Sequence, residues 1–449
     1  MFFSGKKFKY IEYLLLIIVC VVVYYPILNN DFLYYWDDQW MVMNEYTEGG
    51  LNFRNLKLLF SSEFYGQYAP LNQFAFLLIY NVAGYNSFYF HLMSLILHIS
   101  CVCFVYTIIL RLYNQQKQNL NLINENNIRM IVFITSLIFA VHPLNVESVA
   151  WISAVKVLFY SFFYLLATLI YLTYLNKGKI VFYILALLLF SFSFLGKEQA
   201  VTFPVWILLL YYILGYDLKD KKVWSCLIPI FVLSFIFCFI TLYAKGQNVS
   251  IPVDIYPFWQ RLVFACYSFV EYVTKFVFPY KLLYVYPFPM AAGEQLPAWF
   301  LLYPPLIIII FVTLKNLMKI KQILYGVLFF LIHIVIALHI IPISRFAIVA
   351  DRYIYLASIG LAFITISSFA KIIIRLNVWK KNLTIILMLL LCLYWSVYSN
   401  NRCREWIDSD SIKKDYLEIK KKKDVFVEKN EKTSMIYFFN LKERIMKYY

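Results

Sequence analysis

Long apolar runs separated by short polar segments make up most of the sequence. Many of the runs approach the length of about 20 residues at which an α-helix crosses the hydrocarbon core of a bilayer. They cover approximately residues 13–28, 88–112, 130–142, 154–175, 180–195, 202–215, 223–243, 299–314, 323–341, 354–374 and 383–399. This pattern predicts an all-α polytopic membrane protein with about 11 transmembrane helices.

Basic residues distinguish the two sides of the membrane. Lys6, Lys7 and Lys9 precede the first run, and no small-residue cleavage site follows it, so we expect a retained anchor with a cytoplasmic N-terminus. Lysine- and arginine-containing turns then alternate with segments that we assign to the opposite side. Those extracytoplasmic segments are residues 29–70, 142–149, 196–201, 244–298 and 342–352.

Two extracytoplasmic segments have the pattern of helices that lie in the membrane interface. Residues 52–60 place four apolar side chains on one side of a short helix. Residues 263–279 are apolar but contain Glu271 and Lys275. An interfacial or re-entrant position for this second segment gives 11 spans, whereas a transmembrane position gives 12.

The two span counts place the C-terminal tail on opposite sides. Eleven spans put it outside, whereas its lysine run at Lys420–Lys423 favours the cytoplasm and 12 spans. We adopt 11 spans. The predicted organisation is a transmembrane domain over residues 1–400, with a first extracytoplasmic loop at 29–70, and a short lysine-rich tail at 401–449.

Composition agrees with a membrane protein. The chain of 449 residues is 62% hydrophobic and 15% charged, whereas soluble domains are about 45–50% apolar and about 25% charged. The net charge of +16 comes from cations between the apolar runs, without a nucleic-acid-binding motif, so we expect anionic lipid headgroups and no nucleic acid as partners. The eight cysteines show no zinc-type spacing.

The first candidate for chemistry is the pair Asp37-Asp38, which follows the first span in an aromatic setting. Adjacent carboxylates at a bilayer edge repel each other, and desolvation raises the pKa of at least one of them. Such a carboxylate can accept a proton from an attacking hydroxyl or hold a divalent cation. A helix cap or a solvated turn is the alternative.

Two short extracytoplasmic turns carry further ionisable residues. His142 and Glu147 lie in the first, which lacks the spacing of a metal site and also fits a simple capped turn. Lys197 and Glu198 lie in the second, where they either pair with neighbouring charges or provide a cation for a phosphate and a carboxylate for a sugar hydroxyl.

Asp351 and Arg352 open a later span from the same side. An arginine at that depth can grip a lipid phosphate, with Asp351 holding its orientation, or it can simply extend its charged end to the interface. Arg261 and Lys281 flank the segment at 263–279 and are candidates for the same anion.

Several motifs occur in an order that resembles a known family. After Asp37-Asp38 come HPLNVESVAWIS (142–153), GKEQAVTFP (196–204), KFVFPYKLLYVYPFP (275–289), ADRYIYLASIG (350–360) and REWIDSDSI (404–412). The chain thereby resembles the membrane part of the O-mannosyltransferases that carry tetratricopeptide repeats, including their bacterial relatives, within the GT-C superfamily. Here the lysine-rich tail stands where repeats usually follow, and Lys156 lacks the acidic residue that often accompanies it in the family.

The resemblance implies a GT-C-type helix bundle and inverting transfer of a hexose from a polyprenyl-phosphate (dolichol-phosphate-like) donor, with mannose as one candidate sugar. It implies Asp37 as general base, with Asp38 as the close alternative. A cation at the same membrane edge would stabilise the departing phosphate, a role for which Arg352 is the first choice and Lys197 the second.

Other consequences of the resemblance concern the surroundings. Glu147, His142, Glu198 and Asp351 would line the pocket for the sugar or for an acceptor on a protein, lipid or glycan. No nucleotide is required, and a divalent metal is optional. The setting would be the bacterial inner membrane, with the site facing the periplasm.

Two other functions compete with this reading. A transporter or flippase of lipid-linked sugars would show internal repeats and glycine- or proline-broken helix pairs, which we do not find in a sequence with 12 glycines. An O-antigen polymerase or ligase would rely on arginine and histidine in one large late loop, whereas this chain has an early Asp-Asp pair.

Overall fold

The computed structural model describes residues 6–34, 36–62, 68–116, 125–247, 256–290, 293–341, 347–375 and 377–413. Within these ranges the chain forms α-helices, short 3₁₀ turns and one two-stranded antiparallel sheet. The helices are α1 (Lys6–Tyr24), α2 (Asp38–Met41), α3 (Glu45–Glu48), α4 (Phe53–Ser61), α5 (Pro70–Ala83), α6 (Ser87–Gln116), α7 (Glu125–Val141), α8 (Val146–Ala150), α9 (Val155–Lys177), α10 (Ile180–Gly196), α11 (Phe203–Leu214), α12 (Lys221–Gln247), α13 (Phe258–Val277), α14 (Tyr303–Met318), α15 (Lys321–Ile334), α16 (Ser358–Arg375) and α17 (Val378–Glu405). The strands are β1 (Tyr286–Pro287) and β2 (Ala347–Val349).

Among the described residues, six helical segments are long and apolar enough to cross a membrane. They are Tyr10–Asn29, Ser87–Gln115, Ile152–Lys177, Lys221–Tyr243, Ala298–Met318 and Val378–Glu405. A seventh forms if Asn127–Val141 and Pro143–Ala150, which meet at a bend of 50°, make one span. The prediction of an all-helical, multi-pass membrane protein is confirmed.

Four shorter apolar helices occupy the remaining predicted spans. They are Ile180–Gly196, Glu198–Leu214, Lys321–Ala337 and Ser358–Phe369. Every predicted run is therefore helical, and the count of 11 spans stays a prediction.

The outward faces of several of these helices are apolar. Phe235 and Phe239 on α12, Ile308 on α14 and Leu393 on α17 are all more than half exposed. Apolar surface left in water costs about 25 cal/mol per Å², so these faces fit a lipid environment.

A tight helical hairpin positions one part of the site. Gly178, with φ +67°, ends α9 and lets the chain turn back into α10. At the far end of α10, a Cβ on Gly196 would lie 2.9 Å from the backbone nitrogen of Tyr160 in α9. The missing side chain lets α10 end directly against the first turns of α9, so Lys197 emerges beside them.

Helices form in both segments that were predicted to lie in the membrane interface. The first is α4, which Asn52 caps by accepting a hydrogen bond from the Asn55 backbone nitrogen and which exposes Phe53 and Leu58. The second is α13, which exposes Phe258 at its start. Their position relative to the membrane stays a prediction.

The last helix continues beyond residue 400, where the tail was expected to begin. α17 ends at Glu405, and Trp406 and Ile412 after it are buried. The side-chain amide of Asn30 donates hydrogen bonds to the carbonyl oxygens of Cys403 (2.9 Å) and Trp406 (3.1 Å). The start of the tail thus packs against the loop that follows the first helix, while Lys420–Lys423 lie outside the described residues.

Candidate active site

The two adjacent aspartates have different environments. Asp38 is fully buried, and its Oδ1 accepts hydrogen bonds from the backbone nitrogen (2.9 Å) and the hydroxyl of Ser153. Its Oδ2 accepts a hydrogen bond from the Leu33 backbone nitrogen at 3.0 Å. Asp38 therefore ties the first loop to the 3₁₀ turn before α9. Burial raises its pKa to about 6 against these hydrogen bonds.

The raised pKa of Asp38 predicts an unusual pH dependence of stability. Since the pKa in the folded protein (about 6) exceeds the solvated value of 3.8, folding favours the protonated form. This group's contribution to stability is therefore greatest below about pH 4 and falls by about 3 kcal/mol as the pH rises past 6.

Thermal unfolding of the detergent-solubilised protein at about pH 4.5 and about pH 7.5 tests this pH dependence. Relative to the wild type, the unfolding midpoint of Asp38→Asn should rise between the lower and the higher pH, because the variant cannot titrate and does not lose this contribution. An identical pH dependence in the wild type and the variant would contradict the assignment.

Asp37 precedes α2 and is half-buried, and its side chain makes no capping hydrogen bond to that helix. It interacts electrostatically with Lys156, in the first turn of α9, and with Arg352. The two cations come from segments far apart in sequence. Asp37 thus interacts with positive charge from two parts of the chain.

Arg352 lies in a 3₁₀ turn, Asp351–Tyr353, that precedes α16. Its backbone nitrogen donates a hydrogen bond to Glu147 Oε2 at 2.9 Å, and its Nη1 forms an ion pair with Glu147 Oε1. The guanidinium also lies 5.0 Å from the ring centre of Trp151 and 4.9 Å from that of Tyr353. Burial disfavours the charge of Arg352, but Glu147, Tyr353 and Asp37 together outweigh this effect and raise the arginine's pKa.

Asp351 does not pair with its sequence neighbour. Its Oδ2 accepts a hydrogen bond from Nη2 of Arg402 at 3.0 Å, and its Oδ1 accepts one from the Tyr286 hydroxyl at 3.0 Å. The sequence-based pairing of Asp351 with Arg352 is thus replaced by two ion pairs, Glu147–Arg352 and Asp351–Arg402. Adjacent residues in a tight turn point in different directions, so each reaches a different helix.

The loop after α10 adds charge to the same region. Nζ of Lys197, a buried residue, lies 5.0 Å from the ring centre of Tyr353. Glu198 is half-buried and interacts electrostatically with Lys156. The structure therefore brings Asp37, Glu147, Lys197, Glu198 and Arg352 to one end of the helix bundle.

His142 is a packed residue at the bend between α7 and α8. Its Nδ1 accepts a hydrogen bond from the Leu144 backbone nitrogen (3.3 Å), and its Nε2 donates one to the carbonyl oxygen of Phe276 (2.9 Å). The imidazole stacks on the Phe276 ring and is fully buried. Both ring nitrogens are thus bound to backbone groups, which leaves neither of them for a sugar.

Arg261 lies apart from the other candidates. It occupies the first turn of α13 and donates a hydrogen bond from Nη1 to the carbonyl oxygen of Ile340 at 2.8 Å. Lys275, on the same helix, interacts electrostatically with Asp351 and so marks the part of α13 that lies near the Asp351–Arg352 turn. At about 1.5 Å per residue, Arg261 lies about 21 Å from Lys275 along the helix. Arg261 is therefore not grouped with Arg352.

Two residues of this site, Lys156 and Arg402, were absent from the sequence-based site. Lys156 follows Trp151 at the start of a span, and Arg402 lies within the last helix, in the polar stretch just before the REW motif. The signal in the sequence that could have identified both residues is a charged side chain at the end of an apolar run. Within the described ranges, no group of three His, Cys, Asp or Glu side chains is placed to hold a metal ion.

Comparison with known proteins finds partial similarity to a transferase. The chain is 31% identical over 196 residues to human protein O-mannosyl-transferase TMTC1, a match that covers 39% of this chain and 20% of the human protein. The mouse protein of the same name matches equally, over 19% of its length. No family model matches the chain. The similarity supports a distant relationship to these transferases over about a fifth of their length.

Proposed function

We propose that this chain is a membrane glycosyltransferase of GT-C type that transfers a sugar from a polyprenyl phosphate to an acceptor hydroxyl. The observation that carries the proposal is the position of Asp37, a half-buried carboxylate that interacts electrostatically with Lys156 and Arg352 at the end of a bundle of apolar helices. The names of the partial relatives make mannose the first sugar to test.

The proposed reaction needs a base and a cation on opposite sides of the sugar. Asp37 accepts the proton of the acceptor hydroxyl, whose oxygen attacks the anomeric carbon. The bond between that carbon and the phosphate oxygen breaks, and the electron pair leaves with the polyprenyl phosphate. Attack opposite to the leaving group inverts the anomeric configuration.

Arg352 is suited to the departing phosphate. Its partner Glu147 is 1% exposed, whereas 19% of the Arg352 side chain is exposed. Buried Glu147 thus fixes one edge of the guanidinium while another part stays accessible to a ligand. Because guanidinium groups bind phosphate oxygens through several fixed donors, this arrangement favours a lipid-held phosphate. Lys197 and Lys156 add positive charge around the same position.

The burial of Asp38 favours Asp37 as the base. Both carboxylate oxygens of Asp38 accept hydrogen bonds from within the protein, and the residue has no exposed surface. An acceptor hydroxyl could reach it only by displacing those bonds. Glu198 is the remaining accessible carboxylate of the group and is proposed to contact the sugar or the acceptor.

The proposal includes a membrane arrangement. It has 11 spans, with α4 and α13 in the interface, residues 1–400 forming the transmembrane domain and the site facing away from the cytoplasm, on the periplasmic side of a bacterial inner membrane. No step is routed through a metal ion.

Native mass spectrometry of protein purified gently from its host membranes tests the donor class. A co-purifying polyprenyl-phosphate monosaccharide, followed by sugar transfer from that lipid, is the expected result. A bound polyprenyl-diphosphate oligosaccharide would favour a polymerase, ligase or flippase. Failure to transfer sugar from any polyprenyl-phosphate donor offered with membrane acceptors would overturn the proposal.

A further inference from the structure

A second buried ion pair lies behind Arg352. The Arg402 side chain is 2% exposed and that of Asp351 is 0% exposed, and they meet at 3.0 Å between Nη2 and Oδ2. Nη1 of Arg402 donates a hydrogen bond to the carbonyl oxygen of Leu282 at 2.8 Å. A buried pair of this kind repays its desolvation only with the help of further hydrogen bonds, and here Tyr286 supplies one to Asp351 and Leu282 one to Arg402, whereas Nε of Arg402 has no partner among the described residues.

The pair fixes the turn that carries Arg352. Asp351 and Arg352 are consecutive residues of one 3₁₀ turn, anchored on one side by Arg402 and on the other by Glu147. The preceding strand β2 pairs with β1, where Tyr286 lies opposite Val349. The turn is therefore held at both of its charged residues and at its entry.

The same end of α17 also holds the loop that carries Asp37. Asn30 donates hydrogen bonds to the carbonyl oxygens of Cys403 and Trp406, and the Asp31 backbone nitrogen donates one to Ile407 at 2.8 Å. Residues 402–407 thus contact both the segment before Asp37 and the turn that carries Arg352.

We propose that Arg402 is a positioning residue that fixes Arg352 for the donor phosphate and sets its distance from Asp37. This inference rests on the proposed function. Arg402 acts through Asp351 and does not itself touch the substrate. If Arg402 only stabilised the fold, its loss would not change the phosphate affinity of the molecules that still fold correctly. A positioning role predicts that this affinity falls.

Binding of undecaprenyl phosphate, the proposed leaving group in its bacterial form, is the measurement. Affinity is determined by native mass spectrometry on the monodisperse fraction of full-length protein, so that misfolded molecules do not contribute. Arg402→Gln is expected to weaken binding about 10- to 100-fold, because a displaced Arg352 would lose a hydrogen bond to the charged phosphate. Arg404→Gln is the matched control, because Arg404 is exposed on the same helix end, and its affinity should equal that of the wild type.

A double-mutant cycle separates positioning from stability. If Arg402 acts through Asp351, the variant that combines Arg402→Gln with Asp351→Asn should bind no more weakly than either single variant. If Arg402→Gln does not fold, Arg402→Lys serves instead, since one ammonium cannot bond Asp351 and the Leu282 carbonyl in the same geometry.

The outcomes distinguish the two proposals. Undecaprenyl phosphate binding by the wild type with equal affinity in Arg402→Gln or its lysine substitute would overturn the role of Arg402 and leave the transferase standing. Additive losses in the double variant would do the same. If the wild type binds neither undecaprenyl phosphate nor dolichyl phosphate, both proposals fail.

Discussion

Replacing Asp37 with Asn should lower the rate of sugar transfer by about 10²- to 10⁴-fold, the usual contribution of a general base. The amide has nearly the same shape as the carboxylate but cannot take the proton of the acceptor hydroxyl. Arg352 keeps its ion pair with Glu147 in this variant, so affinity for the polyprenyl phosphate should remain within a few fold. Initial transfer rates with saturating donor, together with the phosphate affinity of the same preparations, check the prediction.

A carboxylate elsewhere in the same loop provides the control for Asp37. Glu45 is exposed at the start of α3, and Glu45→Gln removes the same charge from this exposed position. Its transfer rate should match that of the wild type. If Asp37→Asn keeps most of its activity, or if Glu45→Gln loses as much, Asp37 does not act as the base.

The helical part of the fold was predictable because a membrane allows few structures. A backbone in hydrocarbon must satisfy its own hydrogen bonds, and a helix does so locally, so each apolar run predicted a helix from its own residues alone. Both amphipathic segments, α4 and α13, were found in the same way. The boundary between membrane domain and tail was harder to place, since the contact of Asn30 with Cys403 joins residues far apart in sequence.

The sequence predicted which loops contribute residues to the site, but it did not predict which side chains pair with each other. Asp37 and Asp38 are identical in type and adjacent in sequence, and only the contact of Asp38 with Ser153, 115 residues away, distinguishes them. Asp351 likewise pairs with Arg402, 51 residues away. Such partners depend on how helices pack, whereas sequence reasoning naturally pairs neighbours.

Two ion pairs of similar composition have different exposures. In the Asp351–Arg402 pair neither side chain is more than 2% exposed, whereas Arg352 is 19% exposed beside its 1% exposed partner Glu147. A fully enclosed pair fixes geometry, and a pair with one accessible cation can also bind an anion. This difference assigns phosphate binding to Arg352 and positioning to Arg402.

Replacing Arg352 with Lys should weaken undecaprenyl phosphate binding about 10- to 100-fold, which corresponds to the loss of about 1.5–3 kcal/mol from one hydrogen bond between charged groups. Lysine keeps the positive charge beside Glu147, so the buried carboxylate is not left without a cation. It lacks the planar set of donors that can bond Glu147 and a phosphate together, and it loses the contacts with the faces of Trp151 and Tyr353.

Arg261→Lys is the matched control for Arg352→Lys, because Arg261 is the same residue type and was predicted from the sequence to bind the same anion. Its hydrogen bond to Ile340 and its position at the far end of α13 separate it from Arg352, so undecaprenyl phosphate affinity should stay at the wild-type value. Equal losses in both variants would mean that the anion site extends along α13. A loss in Arg261→Lys alone would move the phosphate site to that end of the helix and remove Arg352 from the proposed mechanism.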